Sequence, residues 1–327
     1  MAAKLWTVSL TLVLFIVTAA TAADVPPPWA YGFNTPPPPP GSAPPAAAAP
    51  APAAPDNSMK SLPGSTLQFT LPQIRNGFGP ADWFPGDHPP MPEIVAKGKM
   101  PNVRACSLCH YPNGKGRPEN AGVSGLPVSY FIQTMNDFKD GSRRSADARK
   151  PNTNVMIAIA KGMNDDEIKA AAEYFGSMKW SPWIKVVETN MVPKTHIAGG
   201  MFLANESGEK EAIGNRIIEA PEDTEGTELL RNPRSGFFAY IPTGSVKKGE
   251  ALAKNLQCGT CHGADLRGLG PVPGLAGRSP SYTVRQLFDM KVGVRKGHWT
   301  ELMKPVVANM SEEDMLAVAA YLASHTP

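Results

Sequence analysis

The sequence has no cysteine outside two five-residue motifs, so nothing remains for a disulfide once those motifs are accounted for. It has no basic run and no recognisable nucleic-acid-binding module, and its formal net charge is only +3. That excludes the electrostatic footprint of a DNA- or RNA-binding protein. Its one leading apolar run, Leu5 to Val17, is short and interrupted by Thr and Ser, which argues against a membrane span. No strand signal matches the strength of the helical ones.

All four cysteines lie in Cys106-Ser-Leu-Cys109-His110 and Cys258-Gly-Thr-Cys261-His262. A bare Cys-x-x-Cys suits a redox dithiol or half a zinc site, but the adjoining His and the repeat argue against both. Two thiols one helical turn apart can add to the two vinyl groups of one haem, and the next His falls beneath the iron as proximal ligand. The repeat therefore reads as attachment sites for two covalent haem c groups, through Cys106 and Cys109 and through Cys258 and Cys261, with His110 and His262 on the irons.

Residues 1–23 read as a signal peptide: Lys4, a short apolar core, then Ala20-Thr21-Ala22 as a cleavage site. The absence of a nearby cysteine excludes a lipoprotein anchor, and an uncleaved leader stands as the rival. Residues 24–60, Pro- and Ala-rich with a Pro36 to Pro40 run, form a disordered tether on this reading, and 61–90 an irregular arm on the first haem unit. Units at 91–183 and 246–327 flank a connector at 184–245. From Met91 to Trp183 there are 13 basic and 9 acidic residues, from Val246 to Pro327 there are 10 and 7, and the connector has 6 and 9. Such small differences are ordinary solvated surface and name no partner.

The two units repeat in order. Asn164-Asp-Asp-Glu167 and Ser311-Glu-Glu-Asp314 each place a capping residue before an acidic first turn. Apolar residues follow at helical spacing: Ile168, Ala171, Ala172 and Phe175, then Met315, Val318, Ala319 and Leu322. Middle helices begin near Tyr130 and Tyr282, and Ser245 opens a helix into Cys258. Pro101 breaks or shortens its counterpart before Cys106. This is one small all-helical unit, duplicated.

An electron-transfer haem takes a sixth ligand, and thioether sulfur raises its potential. Among 14 methionines, the repeat selects Met156 and Met303, each in a loop seven residues upstream of a second Met. Those second residues, Met163 and Met310, sit just before the cap, where a hydrophobic staple makes core packing the simpler role. His88, His196, His298 and His325 are read as ordinary histidines, with His298 nearest a ligand loop. Pro118 and Pro271 stand where a carbonyl could fix each proximal ring, or they pack against the haem edge. Tyr130 and Tyr282 either bond propionates or fill core, and Arg143, Arg144, Arg285 and Arg295 are further propionate candidates.

Gly274-Leu-Ala-Gly277, Ser281-Tyr282 and Ala319-Ala-Tyr321-Leu322 in the second unit match Gly125-Leu-Pro127, Ser129-Tyr130 and Ala172-Glu-Tyr174-Phe175 in the first. This pattern resembles the di-haem class I cytochrome c4 family over about 91–183 and 246–327. The resemblance implies an all-α fold of two tandem class I cytochrome c domains, His/Met ligation at both haems, and a periplasmic electron carrier rather than an enzyme. Its implied partners are a donor dehydrogenase or quinol-oxidising complex and an acceptor oxidase or cytochrome, with membrane association only through a partner or an uncleaved leader. A cytochrome subunit of a dehydrogenase complex is the alternative, and a di-haem peroxidase a weaker one. The long arm and connector depart from the family pattern.

Overall fold

A computed structural model describes residues 25–38 and 56–327. The expected leader and most of the Pro/Ala run lie outside the described residues. Among the described residues no helix is long and apolar enough to cross a membrane.

The first helical unit contains the short helix Cys106–His110, then Val128–Lys139, Pro151–Gly162 and Asp165–Ser177. The second contains Ser245–Asn255, Cys258–His262, Pro280–Lys291, a 3-10 turn His298–Leu302, Lys304–Val307 and Glu312–Ser324. Both closing helices start at reciprocal caps. The Asn164 side chain accepts from the Glu167 N–H at 2.8 Å while Glu167 accepts from the Asn164 N–H at 2.8 Å. Ser311 and Asp314 repeat the exchange at 3.1 and 3.0 Å. Each box satisfies donors that a helix start leaves free. The apolar faces then close the cores, with Ile168, Ala171, Ala172 and Phe175 buried in one and Met315, Val318, Ala319 and Leu322 in the other. Gly249 lets Ser245–Asn255 cross the closing helix, because a Cβ there would run into the Ala317 carbonyl oxygen.

Three expectations need correction. The all-α fold does not extend to the connector, which carries seven short strands between Ile184 and Ile241 and one helical turn, Thr224–Glu228. Phe237–Ile241 lies at the centre of a three-stranded sheet, parallel to Ile184–Glu188 and antiparallel to Ile218–Pro221. Its alternating burial is the period-two pattern of a strand, but runs of three to five residues leave little of that signal in sequence. The parallel pair needs a long crossover, which the intervening hairpins supply. This inserted segment shares the second unit's core: Ile213, Ile217, Ile218 and Ile241 pack with Val284, Phe288 and Leu316.

The tether gives way to a docked segment at its start. Pro28–Tyr31 forms one helical turn with Trp29, Ala30 and Tyr31 buried. Two large aromatic rings gain more from burial than a Pro-rich composition suggests. The arm, finally, packs on the inserted segment as well as on the first unit. Leu62, Ile74, Trp83 and Phe84 cluster with Leu230, and the Trp83 indole donates to the Leu230 carbonyl at 2.8 Å.

Candidate haem sites

Each attachment helix presents two free thiols and a histidine. His110 Nδ1 donates to the Ala121 carbonyl at 2.8 Å, and His262 Nδ1 to the Pro273 carbonyl at 2.8 Å. The acceptor stands eleven residues after the histidine in both units. With the proton held on Nδ1, the Nε2 lone pair is free for a metal. Burial lowers the pKa of both rings, against the opposing pull of those carbonyls, so the neutral ligand form prevails. Pro118 and Pro271 do not have the role of ring acceptor. The Pro118 carbonyl instead accepts from Arg285 Nη2 at 2.7 Å.

Burial pushes the Cys106 thiol up to about 12 and raises Cys109 and Cys258 as well. A redox dithiol needs the opposite shift, toward thiolate. Uncharged sulfurs in apolar surroundings suit thioether attachment.

A cleft in the first unit brings Cys106, Cys109 and His110 together with Met156, Met163 and Phe175. Phe131, Val155, Ile159 and Ala171 supply apolar walls. Met156 faces this cleft from within the helix Pro151–Gly162, not from a loop. The Pro at the first helical position and the absence of an internal breaker extend that helix past the point where a loop was expected. Met163 lines the same cleft but is buried in the core cluster, as is Met310 in the second unit. Met303 is half-buried at the start of Lys304–Val307. Among the other histidines, His88 pairs with Asp82 at 3.0 Å, His196 meets Asn205 at 2.9 Å, and His325 Nδ1 meets the Tyr321 carbonyl at 2.9 Å. His298 is exposed.

The two units meet along Val128–Lys139 and Pro280–Lys291 with reciprocal contacts. Arg143 reaches Tyr282 at 2.9 Å and Gln286 at 2.8 Å; Arg295 reaches Tyr130 at 2.9 Å and the same Gln286 at 2.9 Å. Burial pushes the Tyr130 phenol up, but Arg295 and Arg143 outweigh it and bring it down to about 8. Both guanidiniums are buried, and Arg295 Nε has no partner. A buried orphan donor beside two cations fits an anionic group such as a propionate. The residues present therefore fit haem: a pair of free thiols and an oriented imidazole in each unit, and in the first an apolar cleft with a thioether. Arg285 has a different task, donating to the Ala30 carbonyl at 2.6 Å as well as to Pro118, while Arg144 donates to Gly141 in its own loop.

The cytochrome c family model matches residues 95–179 and again 246–326. A curated relative from Stutzerimonas stutzeri, named "Thiosulfate dehydrogenase electron acceptor", is 40% identical over 231 residues, covering 69% of this chain and 82% of the relative. Cytochrome c4 from Pseudomonas aeruginosa is 42% identical over 221 residues, covering 66% and 82%. Among solved structures, the cytochrome c4 of Acidithiobacillus ferrooxidans superposes with a TM-score of 0.41 at 24% identity, covering 67% of this chain and 97% of that one.

Proposed function

The chain belongs to the cytochrome c family, in its di-haem cytochrome c4 branch, and from that premise we propose that it is an exported electron acceptor for a dehydrogenase. Two covalent haem c groups are its cofactors and electron transfer is its function. Each haem supplies one-electron chemistry at its iron.

On this reading the polypeptide holds the groups and sets their properties. Cys106 and Cys109 hold one haem and Cys258 and Cys261 the other. His110 and Met156 are the axial pair in the first unit, His262 and Met303 in the second. The Ala121 and Pro273 carbonyls fix the two imidazoles, and the apolar cleft keeps water from the first. No residue of the chain transforms a substrate. The observation that carries this reading is the matched pair of His–carbonyl bonds eleven residues apart, which equips both units alike as His-ligated haem sites.

The relatives' name makes a thiosulfate dehydrogenase the first donor to test, with a periplasmic location following from the family and the expected leader. Holoprotein mixed with a purified thiosulfate dehydrogenase and thiosulfate is expected to take up two electrons per chain, with two low-spin His/Met signals by low-temperature EPR beforehand. A high-spin centre that turns over peroxide would replace the carrier by a peroxidase.

A further inference from the structure

The duplicated attachment segments differ in one respect that the repeat does not foreshadow. From Cys106 to Glu119 no residue is exposed. In the matching stretch Cys258 to Pro271, Thr260, Cys261, Ala264, Asp265, Arg267 and Leu269 are all exposed.

Over Cys106 to Asn113 the cover includes the arm and the inserted segment, which lie outside both haem units, while Pro118 further along meets Arg285 of the second unit. Arg231 of the inserted segment donates to the Leu108 carbonyl, inside the Cys-x-x-Cys-His helix, and its guanidinium stands 5.7 Å from the Tyr111 ring centre. Asn113 donates to the Pro233 carbonyl at 2.8 Å, and the Ala105 N–H to Gly77 of the arm at 2.9 Å. Arm and insertion are themselves joined, by Trp83 on Leu230 and by Arg234, which pairs with Asp87 at 2.7 Å and lies over the Phe84 ring. Both pieces lie outside the segments matched by the family model.

We propose that the arm and the inserted segment form a fixed cap over the first haem's attachment edge, leaving the second unit as the port where a protein partner exchanges electrons. This rests on the di-haem carrier reading above. The open port has a definite character. Leu269 is 60% exposed in the attachment segment, and Leu302, 66% exposed, follows the exposed Trp299 just before Met303. Over residues 254–304 the exposed cations are Lys254, Arg267, Lys296 and Lys304; Lys254, Arg267 and Lys304 stand in solvent-facing pairs with Glu250, Asp265 and Glu301, which leaves one positive charge in excess. Exposed apolar side chains among cations whose only partners are solvent-facing carboxylates suit a redox protein with an acidic docking face, which can take over those pairs. Each encounter moves one electron, the donor partner being oxidised as the chain is reduced. The first haem is then served from within the chain.

The test is rapid mixing of the fully reduced full-length holoprotein with an acidic mono-haem cytochrome as oxidant, and separately with ferricyanide. Leu269→Asp combined with Leu302→Asp is expected to slow oxidation of both haems by the cytochrome by about tenfold or more. Met100→Asp, on the exposed surface of the first unit, is expected to leave it within about twofold. Arg231→Gly, which removes the guanidinium at a residue with φ of 54°, is expected to add a fast phase from the first haem. Slowing of only half the absorbance change in the double variant, or a large effect of Met100→Asp, overturns the proposal. A wild-type chain that yields two electrons to ferricyanide and none to any protein would instead sink the carrier reading itself.

Discussion

Arg143 of the first unit donates to the Tyr282 hydroxyl of the second at 2.9 Å, and Arg295 returns the contact to Tyr130 at 2.9 Å. The two arginines also pair through an isolated antiparallel bridge, so backbone and side chains cross the seam together. This is the duplication made physical: equivalent residues of the two copies recognise each other's equivalent partners.

Breaking one arm of that exchange should loosen the seam. Arg143→Gln leaves Tyr282 without a charged donor and Gln286 with that of Arg295 alone, in a part-buried site where such hydrogen bonds are worth about 1.5–3 kcal/mol each. Urea unfolding of the holoprotein is expected to shift to lower denaturant and to resolve into two transitions, read separately at the haem and tryptophan bands. One unshifted cooperative transition would show that the seam contributes nothing.

The docked start of the chain is a second brace. The Tyr31 hydroxyl donates to Asp289 at 2.8 Å, and the same carboxylate oxygen accepts from the Ala146 N–H at 2.8 Å. One acid thus ties the N-terminal turn to both units. Tyr31→Phe removes a donor but leaves Ala146 in place, so a loss of about 1 kcal/mol is expected. Tyr31→Ala empties a fully buried site and is expected to cost about 3–5 kcal/mol. Equal and small losses in thermal melts would mean that the segment is not docked in solution.

What sequence could reveal follows from how local each signal is. The attachment motifs and the capping boxes at Asn164 and Ser311 depend on residues within a turn of one another, so spacing alone exposes them. The acceptors for His110 and His262 are backbone carbonyls, which carry no residue signature; Pro118 and Pro271, which the sequence suggests, lie three and two residues from Ala121 and Pro273. Trp29 and Tyr31 were hidden for another reason. Their burial depends on a seam between two units that forms far along the chain, while their neighbours are prolines that imply an extended segment. The strands of the insertion are too short for periodicity to separate them from loops. Tyr130 and Tyr282 fell between two readings because each is at once a packing residue and a hydrogen-bond partner, for an arginine of the other unit.

The proposed methionine ligands can be separated by single substitutions. Met156→Ala and Met303→Ala should each remove about half of the Met–iron charge-transfer band and lower the potential of one haem, since thioether ligation favours ferrous iron. Met163→Leu and Met310→Leu fill buried core positions conservatively and are expected to keep the full band, with stability changes below about 1.5 kcal/mol. Loss of band intensity in either Leu variant would move the ligand seven residues along the chain.

Glu219 ties the insertion to the second unit and gives stability a pH dependence with a definite sign. Its buried carboxylate accepts from the Ser279 hydroxyl at 2.6 Å and from the Ser281 N–H at 3.3 Å, at the start of Pro280–Lys291. Burial raises its pKa from 4.5 to about 7, with those two donors and Arg285 pulling the other way. The folded chain therefore holds this proton more tightly than the unfolded one. The contribution is complete below about pH 4.5 and is lost as pH rises to about 7, by up to about 3 kcal/mol. Asp289, raised by burial from 3.8 to about 6, adds a slope of the same sign in a lower window. Lys150, lowered by burial from 10.5 to about 7, acts above that range instead. Glu219→Gln removes only the first of these, so urea midpoints measured from pH 4.5 to 8 should fall less steeply in the variant than in the wild type. Parallel curves would mean that Glu219 is already ionised across the range and that its Ser279 and Ser281 donors, not burial, govern it.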